Sequence, residues 1–176
     1  MSVLHAGSYR LSLATPLIMG IVNTTPDSFS DGGRWLDASA AIRHAFKLRD
    51  EGADILDVGG ESTRPGAAGV SVDEEIRRVL PVIEALVAEG CVVSVDTTKP
   101  EVMRAALAAG ASMVNDVMAL QVSGAIEGVA MSGAAICLMH MQGEPRTMQQ
   151  APSYANVVDE VKHFLQGRVA ACEATG

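Results

Sequence analysis

The segment Glu89-Gly90-Cys91-Val92-Val93-Ser94-Val95-Asp96 holds the key to the fold. A glycine ends one helix-like stretch, a short apolar run follows, and the run closes on an acid. The same arrangement recurs in Glu51-Gly52-Ala53-Asp54-Ile55-Leu56-Asp57-Val58, in Ala109-Gly110-Ala111-Ser112-Met113-Val114-Asn115-Asp116 and in Ser132-Gly133-Ala134-Ala135-Ile136-Cys137-Leu138-Met139-His140. Glycine at the start of each suits a left-handed helix cap. A brief run of Val, Ile, Leu and Met after it suits a strand covered on both faces. Leu17-Ile18-Met19-Gly20-Ile21-Val22 is a fifth such strand, without a helix ahead of it. Before it, Val3–Ala6 and Tyr9–Leu13 flank Gly7-Ser8 as a small hairpin.

The stretches between read as amphipathic helices. Ser71 with Glu74 forms a capping box, and Ile76, Val79, Leu80, Ile83, Leu86 and Val87 keep to one face behind it. Pro81 interrupts that helix. Pro100 opens the next, whose face is Val102, Met103, Ala106 and Leu107. A weaker helix precedes the second strand near Ala38–Glu51. The last helix carries Tyr154, Val157, Val158, Val161, Phe164, Leu165 and Val169 on its apolar side. Five βα units in succession imply a parallel sheet with right-handed crossovers. Neither a G-x-G-x-x-G nor a Walker phosphate loop follows the first strand, and long loops follow the first two. Both features favour a barrel over an open doubly wound sheet. The expected class is therefore α/β, of the (β/α)8 TIM-barrel type, incomplete at about five units, in a single domain over 1–176. A closed barrel takes eight units.

Composition narrows the function. Of the 176 residues, 48% are apolar, so the chain has material for a core. Thirteen Lys and Arg against 21 Asp and Glu give a net charge of −8, and no basic stripe stands out, so nucleic acid is not an expected partner. No apolar run has the length of a membrane span, and the start has no signal-peptide pattern, which points to a cytoplasmic setting without membrane contact. The three cysteines, Cys91, Cys137 and Cys172, are far apart and read as reduced thiols.

Polar residues stand at the strand ends: Asn23, Asp57, Asp96, Asn115 and His140. In a βα barrel those ends form the active face. Two loops at that face, Asn23-Thr24-Thr25-Pro26-Asp27-Ser28-Phe29-Ser30-Asp31-Gly32-Gly33 and Gly59-Gly60-Glu61-Ser62-Thr63-Arg64-Pro65-Gly66-Ala67, are polar and long enough to suggest function. An arginine among small residues suits a phosphate or a carboxylate.

These two loops, with Ser94-Val95-Asp96-Thr97-Thr98-Lys99-Pro100 and Leu138-Met139-His140-Met141-Gln142-Gly143, closely resemble the dihydropteroate synthases, over essentially the whole chain. The resemblance implies a transferase of folate biosynthesis. It joins 4-aminobenzoate to 6-hydroxymethyl-7,8-dihydropterin diphosphate, releasing diphosphate and forming 7,8-dihydropteroate, in a barrel that is commonly a homodimer. Residue by residue, it implies Asn23 as an Mg²⁺ ligand and Asp96 and Asn115 as pterin-binding groups. It implies Met139 as an apolar wall against the ring and Thr63 and Arg64 near the diphosphate and the aminobenzoate carboxylate. The first loop (Thr24, Thr25, Pro26, Asp27, Ser28 and Phe29) would help form the site of arylamine attack. No residue is implied as a covalent nucleophile. The family's sixth to eighth strands carry a further pterin-binding Asp, a Lys and an Arg-x-His diphosphate clamp, none of which is in this sequence. The five units alone are therefore expected to be inactive. Two alternatives are a pterin-binding module of a folate or corrinoid methyltransferase and a truncated inactive fragment. The methyltransferases bind pterins with similar Asp and Asn residues but do not need these two loops.

Overall fold

The computed structural model describes residues 2–24, 34–62, 69–145 and 147–175 (for 34–37, the backbone alone). Strands β1 (Val3–Ala6) and β2 (Tyr9–Ser12) form the expected antiparallel hairpin. Strands β3 (Met19–Asn23), β4 (Ile55–Gly59), β5 (Val93–Asp96), β6 (Met113–Asp116) and β7 (Ala135–Leu138) form one parallel sheet in that order. Sequential order with a helix after each strand is the barrel arrangement, here over five of eight units. The helices are α1 (Arg34–Asp50), α2 (Val72–Ala88), α3 (Pro100–Ala108), α4 (Ala125–Val129) and α5 (Val157–Glu173). Periodicity does not show α4, because a helix of five residues is too short to repeat a pattern.

The local signals act as chemistry requires. Ser71 caps α2 by accepting from the Glu74 backbone N–H at 3.3 Å. Pro100 sits in the first turn of α3. Gly52, Gly90 and Gly110 adopt positive φ at the turns leading into β4, β5 and β6.

Alternation along the strands divides the molecule into two apolar regions. Val22, Val58, Val95 and Val114 face the helices, packed with Val79, Ile83, Leu86, Met103 and Ala106 in the main core. The alternate residues face the other side of the sheet. At its lower end, Ile55, Val92, Met113 and Ala135 meet Ala6 of the hairpin, with Leu4, Tyr9 and Leu11 packed beside them. Tyr9 donates its hydroxyl to the Cys91 carbonyl at 3.2 Å, and the Gly7 N–H donates to the Gly133 carbonyl at 2.9 Å. The hairpin thus covers the N-terminal ends of the strands and leaves the C-terminal ends for a site.

The last helix departs from expectation. Its apolar face is not buried: α5 has no buried residue, and Val157, Val158 and Val169 are 51%, 69% and 44% exposed. Several contacts hold it, with Cys172 packed against the main core. Arg168 donates to the Ala119 and Leu120 carbonyls, each at 2.7 Å, and Phe164 meets the His140 ring edge-on at 5.0 Å. No described helix is long and apolar enough to cross a membrane.

Candidate functional site

The register places the site residues. Asn23 pairs with Gly59, Gly59 with Asp96, Asp96 with Asn115, and Asn115 with Cys137. These five positions form one row across the upper edge of the sheet. Each neighbours a valine or an apolar residue turned to the helices, so the row faces the opposite side. Asn23, Asp96 and Asn115 are thereby brought to one rim. Met139 follows β7 two residues beyond Cys137 and is half-buried, its N–H reaching the Asp116 carbonyl at 3.4 Å.

Two of the five polar residues read as strand ends are placed differently. Asp57 is not at the end of β4. It lies two residues below Gly59, paired with Ile21 and Ser94, and is 2% exposed. His140 lies past β7 and packs its ring against Tyr154 and Phe164, which is a structural role. Thr25, Pro26, Asp27, Ser28, Phe29, Thr63 and Arg64 lie outside the described residues.

Thr24 is buried, and both its N–H (2.9 Å) and its hydroxyl (3.0 Å) donate to the Gly59 carbonyl. This ties the start of the first loop to the end of β4. The second loop has its own anchor. The Lys99 ammonium bridges Glu61, at the start of that loop, and Glu75 on α2, which is 1% exposed. Burial disfavours the Lys99 charge, but hydrogen bonds to Glu61 and Glu75 outweigh it, and its pKa is raised. Arg78 adds a hydrogen bond to the Gly60 carbonyl at 3.0 Å.

The centre of the row is electrostatically loaded. Burial, followed by repulsion from Asp57, Asp116 and Glu75, pushes Asp96 up to about 7. Burial also raises Asp57, against the hydrogen bond from Asn115. One oxygen of each, Asp57 Oδ1 and Asp96 Oδ1, is buried without a hydrogen-bond partner among the described residues. Unpaired buried acceptors are costly, and here two face the same side of the sheet. They suit a ligand that brings adjacent N–H donors. Burial, then Asp57 and Asp96, raises the Cys137 thiol, so it is a poor nucleophile.

A sheet of this order, capped at one end and carrying an acid–amide row at the other, agrees with the comparisons. Residues 19–176 match the pterin binding enzyme family. The chain belongs to that family. It is 51% identical to the Escherichia coli K12 dihydropteroate synthase over 174 residues, covering 98% of the chain and 62% of that enzyme. Among solved structures, it is similar to the Xanthomonas albilineans dihydropteroate synthase with 4-aminobenzoic acid. That likeness has a TM-score of 0.89 at 54% identity, over 99% of this chain and 62% of the other. It is also similar to the Burkholderia cenocepacia enzyme complexed with 7,8-dihydropteroate, with a TM-score of 0.88 at 45% identity, over 99% and 59%. The chain thus spans about 62% of the length of the curated relatives that it matches first. The rim described above stands on the five strands β3 to β7.

The site also contains residues, in the row and just below it, that sequence reading left unassigned. Asp57 is visible as a polar residue, but its partner is not: the register sets it beside Ser94, and the Asn115 amide reaches it from the layer above. Gly59 gave no signal, because a missing side chain is informative only when its neighbours are known.

Proposed function

We propose that this chain carries the pterin-binding part of a dihydropteroate synthase, acting on 6-hydroxymethyl-7,8-dihydropterin diphosphate and 4-aminobenzoate. The observation that carries this reading is the row Asn23–Gly59–Asp96–Asn115 on one face of the rim. Relatives and neighbours of about 50% identity, two of them holding 4-aminobenzoic acid or 7,8-dihydropteroate, support the substrates.

In this reading, the Asp96 carboxylate accepts from the ring's amino group and the adjacent ring N–H. Asn115 gives one Nδ2 hydrogen to Asp57 and keeps the other, together with its carbonyl oxygen, for the ring. Met139 lies against the ring as an adaptable apolar wall. Thr63 and Arg64 serve the diphosphate and the aminobenzoate carboxylate by their place in the second loop. The first loop, Thr24 to Phe29, shapes the site of arylamine attack. The C–O bond to diphosphate breaks and leaves a cationic methylene conjugated to the pterin; the arylamine nitrogen then forms the C–N bond and gives up its proton to the released diphosphate or to water, so no protein nucleophile takes part.

Asn23 is the residue that would hold Mg²⁺. It is an exposed neutral amide at the rim, and no group of three or more His, Cys, Asp or Glu among the described residues forms a metal cage. That donor set fits an ion that keeps its waters and takes other oxygens from substrate phosphates. When bound, the ion would neutralise the departing diphosphate. A cytoplasmic setting and a homodimer belong to the same reading.

The test is a calorimetric titration of the chain with 6-hydroxymethylpterin, beside Asp96→Asn. A loss of affinity of about tenfold or more is expected, as one charge-assisted hydrogen bond is replaced by a mismatched amide. Equal affinities would remove Asp96 from the site.

A further inference from the structure

Gly59 is the one place in the row from Asn23 to Cys137 without a side chain. Gly59 is the last residue of β4, and a glycine there gives up backbone entropy and packing that any side chain would supply, so it calls for a reason. Two reasons internal to the fold operate elsewhere in this chain. Gly52, Gly90 and Gly110 have positive φ. Gly20 and Gly60 are crowded: a Cβ on Gly20 would meet Ala53 Cβ and Leu48 Cδ1 at 3.1 Å, and one on Gly60 would meet Glu75 Cγ and Val79 Cγ1 at 2.8 Å.

Neither reason applies at Gly59. Its φ is outside the left-handed range, and a Cβ there would meet Asp96 Oδ2 at 3.5 Å and Asp96 Cβ at 3.6 Å, which is ordinary contact. It is not a hinge either. Its strand is paired on both sides, and its carbonyl accepts twice from Thr24. What the glycine provides is bare backbone beside the Asp96 carboxylate, in a row whose neighbouring places carry polar side chains. Asn23 and Asp96 stand two strand spacings apart, roughly 10 Å, and the Asp96 carboxylate leans toward the space where a Gly59 side chain would rise. Bare glycine backbone at the site end of a strand leaves room for close approach by a ligand.

We propose that Gly59 is a specificity-determining position whose bare backbone is the surface on which the flat pterin ring lies between Asn23 and Asp96. The inference rests on the pterin-site reading above. A Cβ at Gly59 would lift the ring by roughly 1.5 Å, the length of one C–C bond. Hydrogen bonds to Asp96 formed near 2.9 Å would then stretch to about 3.3 Å and tilt out of the ring plane, which weakens them. Larger side chains would fill the gap.

The test measures thermal midpoints and 6-hydroxymethylpterin affinity for wild type, Gly59→Ala, Gly59→Val and Asp96→Asn. Gly59→Ala is expected to fold with a midpoint within about 2 °C of wild type. Its affinity should fall about tenfold or more, and that of Gly59→Val about a hundredfold or more. If Gly59→Ala binds within about twofold of wild type while Asp96→Asn loses binding, the Gly59 inference falls and the pterin site stands. If Gly59→Ala fails to fold, the fold itself requires the glycine and the inference also falls. If wild type binds no pterin, or Asp96→Asn binds as well as wild type, the reading beneath it falls with it.

Discussion

Asn115 Nδ2 donates to Asp57 Oδ2 at 2.9 Å, joining the upper row of the rim to the layer below it. A carboxylate can only accept, so this bond fixes which end of the amide is committed and leaves the Asn115 oxygen for a ligand donor. Asp57→Ala should release the amide and weaken pterin binding about fivefold to tenfold, the worth of roughly one hydrogen bond. Asp57→Asn keeps an acceptor and should lose less. Titration of the two variants with 6-hydroxymethylpterin checks this order.

Asp57 also acts on Asp96 by charge. After burial, its repulsion is the next cause holding Asp96 at about 7. Removing that charge in Asp57→Asn should lower the Asp96 pKa, which carboxyl ¹³C NMR can follow. An unchanged titration would show that the two carboxyls do not sense each other.

The pH dependence of binding has a definite sign. Asp96 must be ionised to accept two hydrogen bonds, and in the free protein it titrates near 7. Pterin affinity should be level above about pH 8 and fall below 7 toward tenfold per pH unit, with a proton released on binding. Calorimetry in buffers of different ionisation heat reads that proton directly.

The same group makes the empty site a burden on the fold. The folded pKa of Asp96, about 7, lies above its unfolded value of roughly 4. Its contribution to stability is thus complete below pH 4 and lost as pH rises through 7. Asp96→Asn should therefore stabilise the unliganded protein at pH 8 by on the order of 1 kcal/mol, with the gain vanishing toward pH 4. Thermal unfolding at the two pH values checks it, and a destabilised variant at pH 8 would be the wrong sign.

Lys99 offers a contrast of pure scaffolding. It compensates Glu61 and the buried Glu75. Lys99→Met should cost about 2 kcal/mol, less than for a fully buried pair because the Lys99 and Glu61 side chains remain 21% and 26% exposed. That corresponds to a fall in thermal midpoint of roughly 4–8 °C.

Much of this was legible in the sequence. Repeated glycine-then-apolar runs gave four strands of the parallel sheet and a bare apolar run the other, and the capping box and Pro100 gave the starts of α2 and α3, because caps and buried strands are set locally. Asn23, Asp96 and Asn115 could be placed at one rim because each ends its own run. Asp57 could not be separated from them, since Asp57-Val58 followed by glycines hides that β4 continues to Gly59. Depth within a sheet depends on register, which is a property of two strands together. The apolar stripe of α5 was legible as a stripe, but its exposure was not, because burial belongs to what lies beside a helix. The glycine at 59 was legible only as punctuation, and its place in the row needed coordinates.

The most direct measurement is a structure of the chain with 6-hydroxymethylpterin bound. The account predicts the ring over Gly59, with its amino group and adjacent ring N–H about 3 Å from the Asp96 carboxylate and with Asn115 at its edge. A ring seated away from this row, or turned so that its amino group faces away from Asp96, would contradict it.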